Sequence, residues 1–220
     1  MENHVRFPHL LRSEVLEGLD TGFRKAFLNG CKVEVFQKPA MVYEQGEASD
    51  GMRLIAHGYV DVTYIGEDGQ QIFLSRERMG SSMGELEAIS EEPCTATCTT
   101  PANCTLLYCP KPQLFEALKN IDFIKNMARI FQRRQVHDNW HSHISQFGAV
   151  GERLRGYLYM LSRNTNKVVE TQSYLAAVVG CSRQTVNREL ARLRDAGVIA
   201  QNGSEIIVLD RAALSEGLIS

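Results

Sequence analysis

Short hydrophobic runs separated by turns make up the first half of the chain. Between residues 31 and 109, runs rich in Val, Tyr, Ile and Thr are broken by Gly or Pro at intervals of about 8–12 residues. The runs that predict strands are 33–36, 41–43, 52–57, 59–65, 71–74, 95–100 and 105–108. We therefore predict an antiparallel, jelly-roll-like β-barrel that follows a helical or irregular lead-in over residues 1–30.

The pattern changes after Pro112, where apolar residues recur at spacings of three and four. The residues with this spacing are Leu114, Leu118, Ile121, Ile124 and Met127. The stripe continues less regularly through Ile130, Phe131, Trp140, Ile144 and Phe147. Neither Pro nor Gly occurs between Pro112 and Gly148, so we predict a short helix followed by a long one. A second copy of the chain is the simplest cover for such a stripe, and packing against the β-domain alone is the alternative.

The strongest pattern lies near the C-terminus, where two short amphipathic helices are predicted. Thr171 and Ser182 are suitable N-caps, and Gly180 between them supplies the tight turn of a helix-turn-helix. The predicted buried residues are Leu175, Val178 and Val179 in the first helix and Val186, Leu190 and Leu193 in the second. The opposite side of the second helix carries polar residues in its first two turns, namely Arg183, Gln184, Asn187 and Arg188.

This polar cluster has the chemistry that reads base pairs. The start of the second helix of a helix-turn-helix enters the major groove, where Arg pairs with guanine and Gln or Asn with adenine. Arg192 and Arg194 lie further along, where phosphates are in reach, and Asn202-Gly203 between two apolar runs predicts a β-hairpin wing. The candidate DNA-binding residues are Thr171, Gln172, Ser182, Arg183, Gln184, Thr185, Asn187, Arg188 and Arg192. A merely solvated helix face would leave the two caps, the glycine turn and the wing unexplained.

Charge and composition agree with this interpretation. Residues 150–220 contain nine Lys/Arg and seven Asp/Glu, whereas the whole chain has a net charge of −2. A mildly basic tail on an acidic body is typical of a DNA-binding end joined to another part. No apolar run approaches the roughly 18 residues of a membrane span, and the N-terminus lacks a signal-peptide pattern. We therefore expect a cytoplasmic protein without membrane contact.

The segment 180–188, GCSRQTVNR, resembles the recognition-helix signature of the CRP/FNR family of bacterial regulators. The segments 45–47 (QGE) and 84–86 (GEL) resemble landmarks of that family's cyclic-nucleotide-binding type of β-barrel. The resemblance spans nearly the whole chain and implies a homodimer joined along the long helix, an effector pocket in each barrel and a palindromic double-stranded DNA operator. RNA polymerase is a further expected partner. The resemblance assigns base reading to Arg183, Gln184 and Arg188, with Asn187 beside them.

The same resemblance defines the expected domains and one departure. We predict an α+β protein with an effector-sensing barrel at 1–112, a dimerisation helix region at 113–148 and a winged helix-turn-helix at 149–220. The family commonly has Glu where Gln184 stands. A carboxylate accepts from cytosine, whereas an amide both donates and accepts, so the operator is expected to differ at that base pair.

The effector site implied by the resemblance comprises Gly84, Glu85, Leu86, Cys94, Thr95 and Ala96. Members that respond to cyclic AMP carry an Arg, followed by Ser or Thr, that binds the phosphate. Cys94 stands where this Arg is expected, and a neutral thiol cannot make the bidentate contact of a guanidinium. Glu91 and Glu92 would add repulsion. We expect an effector other than cyclic AMP, either a small molecule or a redox signal, and the sequence identifies no cofactor.

The cysteines and histidines leave a redox, metal or haem sensor open as an alternative. The chain has six cysteines, and thiols in the cytoplasm are mostly reduced. On one strand face Cys94 and Cys98 would lie about 13 Å apart, too far to share a metal ion, so buried unreactive thiols are the preferred interpretation and no metal ligand is assigned. Possible haem ligands are His57, His137, His141 and His143.

We expect no enzymatic activity and assign no catalytic residue. A cupin metalloenzyme needs a His-x-His pair on a barrel strand, whereas the pair at 141–143 falls in the predicted long helix. The sequence also lacks a Walker loop, a nucleophile elbow and a CxxC pair. A cyclic-nucleotide-binding scaffold without DNA binding would keep the phosphate Arg and lack the second C-terminal helix, which is the reverse of this sequence.

Overall fold

The structure is a computed structural model of the 220-residue chain. It describes residues 1–67, 69–146, 148–162 and 165–216, without the side chains of residues 137, 140, 141 and 145. The chain forms two compact units, Met1–Gln132 and Arg133–Ser220. Trp140 and Phe147, which the sequence assigns to the helical stripe, lie outside the described side chains.

Short helices precede the β-domain of the first unit, as the sequence predicts. They are α1 (Asn3–Arg6), two single-turn 3-10 helices (Pro8–Arg12 and Glu14–Leu16) and α2 (Thr21–Gly30). Asp20 begins α2 because its carboxylate accepts hydrogen bonds from the backbone N–H groups of Gly22 at 2.6 Å and Phe23 at 3.2 Å.

The β-domain consists of two antiparallel sheets. Its strands are β1 (Lys32–Phe36), β2 (Ala40–Tyr43), β3 (Gly51–His57), β4 (Tyr59–Ile65), β5 (Gln71–Arg78), β6 (Ser82–Met83), β7 (Thr97–Thr100) and β8 (Cys104–Pro110). One sheet has the order β1-β8-β3-β6 and the other the order β2-β7-β4-β5. The order differs from the sequence order because strands cross between the sheets, which is the connectivity of a jelly roll.

The first sheet is covered on both faces, which explains the continuous hydrophobic run of β3. Met52 and Leu54 pack with the N-terminal helices, whereas Ile55 packs between the two sheets. Leu107 of β8 likewise packs with the N-terminal helices, and Leu106 packs between the two sheets. Alternate residues of a strand point to opposite faces, so a strand with two covered faces is apolar at successive positions.

Two predicted strands differ in detail from the structure, and a third strand is not predicted by the sequence. Strand β5 continues beyond Leu74 to Arg78, because polar residues there pair with β4 through an ion pair between Arg76 Nε and Asp61 Oδ1 at 2.6 Å. Strand β7 begins at Thr97 rather than at Thr95, so the premise that Cys94 and Cys98 share a strand is wrong. The short strand β6 has too few residues to show a periodic pattern.

Three helices belong to this part of the chain. They are α3 (Glu85–Ser90), which follows β6 and which the sequence pattern does not indicate, and α4 (Lys111–Ala117) and α5 (Ile121–Ser145), which follow β8. The expected short helix followed by a long one is therefore confirmed. The α5 residues that join the core are Phe123, Met127 and Ile130.

The predicted apolar stripe does not form one continuous face at the start of α5. Ile121 and Ile124 are 60% and 41% exposed, whereas Phe123 is buried and packs on Phe27, with ring centroids 5.4 Å apart. The chain ends α4 at Ala117 and restarts at Ile121, so the register of the apolar stripe is not carried from one helix to the next. The helix therefore has an apolar face on each side at its start.

The second unit is a bundle of helices with a small sheet. Its elements are α6 (Val150–Leu161), β9 (Lys167–Val169), α7 (Gln172–Val179), α8 (Arg183–Asp195), β10 (Ile199–Asn202), β11 (Glu205–Val208) and α9 (Arg211–Ser215). The sheet order is β10-β11-β9 and both pairings are antiparallel. The predicted α+β fold, with an N-terminal antiparallel barrel and a C-terminal winged helix-turn-helix, is confirmed.

The wing differs from its prediction by one residue. Asn202 pairs with Glu205 in the ladder, so the two loop residues are Gly203 and Ser204 rather than Asn202 and Gly203. Gly203 has a φ of +61°, which suits the first central position of a two-residue hairpin turn. The third strand of this sheet, β9, spans three residues and was missed for the same reason as β6.

Candidate nucleic-acid interface

Two side-chain caps set the helix-turn-helix. Thr171 Oγ1 accepts a hydrogen bond from the backbone N–H of Tyr174 at 3.1 Å and so begins α7. Ser182 Oγ accepts from the N–H of Thr185 at 3.2 Å and begins α8. Gly180 ends α7 with a φ of +65°, a conformation that a side chain would strain. The caps and the glycine turn predicted from the sequence are confirmed.

Apolar packing holds α8 against its neighbours. The buried residues of the pair are Leu175, Val178 and Val179 in α7 and Val186 and Leu190 in α8, whereas Leu193 is only half-buried, contrary to its prediction. Tyr157 of α6 shares a hydrogen bond of 2.9 Å with Tyr174 through the two hydroxyls. Arg153 Nε donates to the carbonyl oxygen of Val179 at 2.9 Å, which satisfies an acceptor at the end of α7. The helix pair is thus fixed on its inner side.

The outer side of α8 presents the polar cluster to solvent. Arg183, Gln184, Asn187 and Arg188 are all exposed, in two adjacent rows spaced by four residues. The structure therefore brings together the side chains that the sequence assigns to base reading. Arg192 is exposed one turn further along the helix.

The other candidate DNA-binding residues surround this cluster. Thr171 and Ser182 are exposed at the starts of their helices, whereas Gln172 and Thr185 are half-buried. Gln172 accepts a hydrogen bond from Arg183 Nε at 3.4 Å. The hydroxyls of Ser182 and Thr185 lie 2.9 Å apart and share a hydrogen bond. The first turns of α7 and α8 consequently form one connected polar surface.

The arginines near the end of α8 have partners within the protein. Arg194 Nη1 donates to Gln201 Oε1 at 2.7 Å and so connects the helix to the wing. Arg192 Nη1 lies 3.0 Å from Glu189 Oε1, in an ion pair one helical turn apart. Sequence reasoning missed Glu189, although the three-residue spacing to Arg192 is the signal for such a pair.

The expected effector residues lie around the start of α3. Gly84 precedes the helix with a φ of +75°, and a Cβ there would lie 2.2 Å from the hydroxyl oxygen of Tyr43. Only a glycine therefore fits beside the tyrosine hydroxyl. Glu85 is fully buried and accepts a hydrogen bond from Ser82 Oγ at 3.1 Å, whereas Leu86 is exposed.

The second part of this region, Cys94 to Ala96, has an acidic environment. Cys94 is buried, Thr95 is exposed and Ala96 is half-buried. Burial, followed by the negative charge of Glu87 and then that of Asp50, raises the pKa of the Cys94 thiol above its ordinary value. The group at the position expected for the phosphate-binding Arg is therefore neutral at pH 7, with carboxylates nearby.

All six cysteines are free thiols. The five in the first unit are buried, as the sequence predicts for those of the barrel, and Cys181 in the second unit is half-buried. Cys31 and Cys109 share a hydrogen bond that, together with burial, raises the pKa of Cys109 well above its ordinary value. Within the described ranges, no group of three or more His, Cys, Asp or Glu is arranged to hold a metal ion.

Two of the histidines proposed as alternative ligands have described side chains. His57 ends β3 and His143 belongs to α5, and both are exposed. The side chains of His137 and His141 lie outside the described ones. The His-x-His pair at 141–143 falls in a helix rather than on a barrel strand, as the sequence predicts.

One finding concerns membranes. Among the residues that the structure describes, no helix has the length and apolar content that a bilayer crossing requires.

Comparison with known proteins agrees with both units. The cyclic nucleotide-binding domain family matches residues 33–120, and the Crp-like helix-turn-helix domain family matches residues 152–216. The cAMP-activated global transcriptional regulator CRP of Escherichia coli is 24% identical over 193 residues, 83% of this chain and 91% of that protein. A CRP-like cAMP-activated global transcriptional regulator of Mycobacterium tuberculosis is 24% identical over 216 residues, 94% of this chain and 96% of that protein.

A solved structure has the same fold. A variant of CooA from Carboxydothermus hydrogenoformans superposes with a TM-score of 0.72 at 16% identity and covers 96% of this chain and 95% of its own. A cyclic-nucleotide-binding type of β-domain joined to a winged helix-turn-helix defines a class of DNA-binding transcription regulators. The chain belongs to the CRP/FNR family of transcription regulators.

Proposed function

We propose that the chain works as a cytoplasmic homodimer that binds a palindromic operator in double-stranded DNA and acts on transcription by RNA polymerase. In this proposal residues 1–112 sense an effector, residues 113–148 join the two copies and residues 149–220 bind DNA. The barrel has no assigned catalytic role, because the His-x-His pair that a cupin would need lies on α5.

The observation that carries DNA reading is the exposed cluster at the start of α8. Arg183, Gln184 and Arg188 project from the first two turns of a helix whose other side is buried through Val186 and Leu190. Such a placement lets a guanidinium fork meet guanine O6 and N7 and an amide meet adenine. We assign base reading to these three residues and to Asn187.

The remaining site residues are proposed to contact the DNA backbone. They are Thr171, Gln172, Ser182, Thr185 and Arg192, which surround the base-reading cluster. Hydroxyl and amide groups at the starts of two helices suit phosphate oxygens, because the unpaired backbone N–H groups there also favour negative charge.

The effector is proposed to be a molecule or redox signal other than cyclic AMP. The thiol of Cys94 stays neutral at pH 7, and Glu87 and Asp50 lie near enough to raise its pKa. An anionic phosphate would meet negative charge there without a guanidinium to balance it. The curated relatives described as cAMP-activated therefore do not indicate the effector of this chain.

The proposed dimer contact uses the exposed apolar side of α5. Ile121 and Ile124 point away from the core that holds Phe123 and Met127. A helix that is apolar on two sides needs a second partner for the outer one. A second copy of α5 satisfies this requirement symmetrically.

Selection of DNA from a random duplex pool tests the proposal. The full-length chain is expected to select two inverted half-sites with centres about 34 Å apart, one helical turn of DNA. In gel-shift titrations on that operator, Arg188→Ala is expected to lose about 1–3 kcal/mol and to relax specificity at one base pair in each half-site. Arg6→Ala, which removes an exposed Arg of α1, is the matched control. Equal affinities for Arg188→Ala and the wild type would contradict the assignment.

A further inference from the structure

Glu189 is the acidic residue among the arginines of α8. It follows Arg188 directly and precedes Arg192 by one helical turn. Its side chain is only 14% exposed, whereas those of Arg188 and Arg192 are 64% and 68% exposed. A carboxylate so little exposed interacts with neighbouring charges more strongly than one on an open surface.

The two arginines are held by this one carboxylate. Arg192 Nη1 donates to both oxygens of Glu189, at 3.0 Å to Oε1 and 3.2 Å to Oε2. Arg188 Nε lies 3.6 Å from the same Oε1. One carboxylate is thus paired with two guanidinium groups whose side chains are largely exposed.

The carboxylate lies close to the first turn of α6. A Cβ at Gly151 would lie 3.0 Å from Glu189 Oε2, so the absence of a side chain there admits the carboxylate. Helix α6 has no side-chain cap at Ala149, and negative charge near a helix N-terminus is favourable. A cleft of about 630 Å³ between the first turn of α6 and α8 leaves Arg188 and Arg192 room to move if the carboxylate is lost.

We propose that Glu189 is a positioning residue that makes DNA binding selective, because it orients Arg188 and Arg192 and offsets their charge. Both arginines then contribute less to sequence-independent binding of DNA. The proposal rests on the DNA-binding role assigned to α8. An unpaired Arg adds to the sequence-independent attraction to phosphates, whereas an Arg paired with a carboxylate adds less and depends more on the register of the duplex. Glu189 acts through the two arginines and does not itself touch DNA.

Salt-dependent binding of Glu189→Gln tests this role. Affinity is measured for the selected operator and for a random duplex of equal length, with the full-length chain. For the random duplex, Glu189→Gln is expected to bind roughly tenfold more tightly at ~0.1 M salt, with a salt slope steeper by about 0.9, as one added phosphate contact gives. Operator affinity is expected to change less, so the ratio of operator to random affinity falls.

Three further variants separate charge, geometry and folding. Glu116→Gln removes the same charge from an exposed ion pair between Glu116 of α4 and Lys119, which follows that helix, and is expected to leave the salt slope and the affinity ratio unchanged. Glu189→Asp keeps the charge and is expected to retain the wild-type salt slope. Glu189→Ala repeats the experiment with a strong helix former if the Gln variant unfolds.

The outcomes distinguish this proposal from the proposed function. Wild-type slope and ratio in a folded Glu189→Gln or Glu189→Ala variant would overturn the positioning role, and so would an equal effect of Glu116→Gln. Failure of the wild type to select any operator would instead contradict base reading by α8.

Discussion

Arg183 of α8 donates a hydrogen bond from Nε to Oε1 of Gln172 at 3.4 Å, which joins the first turns of the two helices. Gln172 is half-buried, whereas Arg183 is exposed. The first helix of the motif therefore supports a proposed base reader on the second. A guanidinium group that is already oriented before binding loses less conformational freedom when it pairs with a base.

Removing this support should weaken operator binding. Gln172→Ala is expected to lower operator affinity by roughly threefold, because a net hydrogen bond is worth about 0.5–1.5 kcal/mol. In a double-mutant cycle with Arg183→Ala, the two losses should add only in part, since both remove the same hydrogen bond, while Gln172→Ala also removes the proposed contact of Gln172 with the DNA backbone. Ser173→Ala, an exposed neighbour on α7, should leave affinity unchanged. Additive losses in isothermal titrations would show that the hydrogen bond does not matter.

Gln184 should set the preference at one base pair. An amide donates to N7 and accepts from N6 of adenine, whereas a carboxylate can only accept and suits the amino group of cytosine. Gln184→Glu is therefore expected to shift the selected base at one position of each half-site and to leave the half-site spacing unchanged. Sequencing of selected duplexes measures both. An identical selected motif for the two proteins would contradict direct contact by Gln184.

The two faces of α5 should respond differently to truncation. Phe123 is buried against Phe27, so Phe123→Ala is expected to cost about 3–5 kcal/mol in the free energy of unfolding. Ile124→Ala, on the exposed side, is expected to change it by less than about 0.5 kcal/mol under conditions where the chain is monomeric, while weakening the dimer. Denaturant unfolding and sedimentation velocity measure the two effects. A dimer unaffected by Ile124→Ala and by Ile121→Ala would contradict the proposed contact.

Cys94 should react slowly with an alkylating agent at neutral pH. Burial and the charges of Glu87 and Asp50 raise the pKa of its thiol, and the thiolate is the reactive form. At pH 7 its rate of reaction with iodoacetamide should lie below that of a free thiol. As the pH is raised towards the pKa of the thiol, the rate should increase about tenfold per pH unit. Peptide mass mapping follows the modified residue, with Cys94→Ser to assign it. A rate above that of free cysteine would favour a redox-sensing thiol instead.

Local chemistry explains which parts of the fold the sequence could predict. The caps Thr171 and Ser182 and the turn at Gly180 act within a few residues, so the helix-turn-helix follows from nearby sequence. The alternating faces of β3 and β8 follow from hydrophobic runs. These patterns lead directly to the class of protein.

Tertiary contacts decide the parts that the sequence could not predict. The second half of β5 is polar and is stabilised by pairing with β4, including the contact between Arg76 and Asp61. The buried side of α5 depends on the residue at which the helix begins after α4. In this register Phe123, rather than Ile124, packs against the ring of Phe27. The place of Glu189 depends on Gly151, which is distant in sequence.

The most direct test of the account combines a change in DNA with a change in protein. Each guanine of the selected operator is replaced in turn by 7-deazaguanine, which lacks the N7 acceptor in the major groove. At one guanine per half-site, the wild type is expected to lose about 1–3 kcal/mol of binding energy and Arg188→Ala to lose nothing further. Unchanged wild-type affinity at every replaced guanine would contradict the central claim that exposed arginines of α8 read base edges.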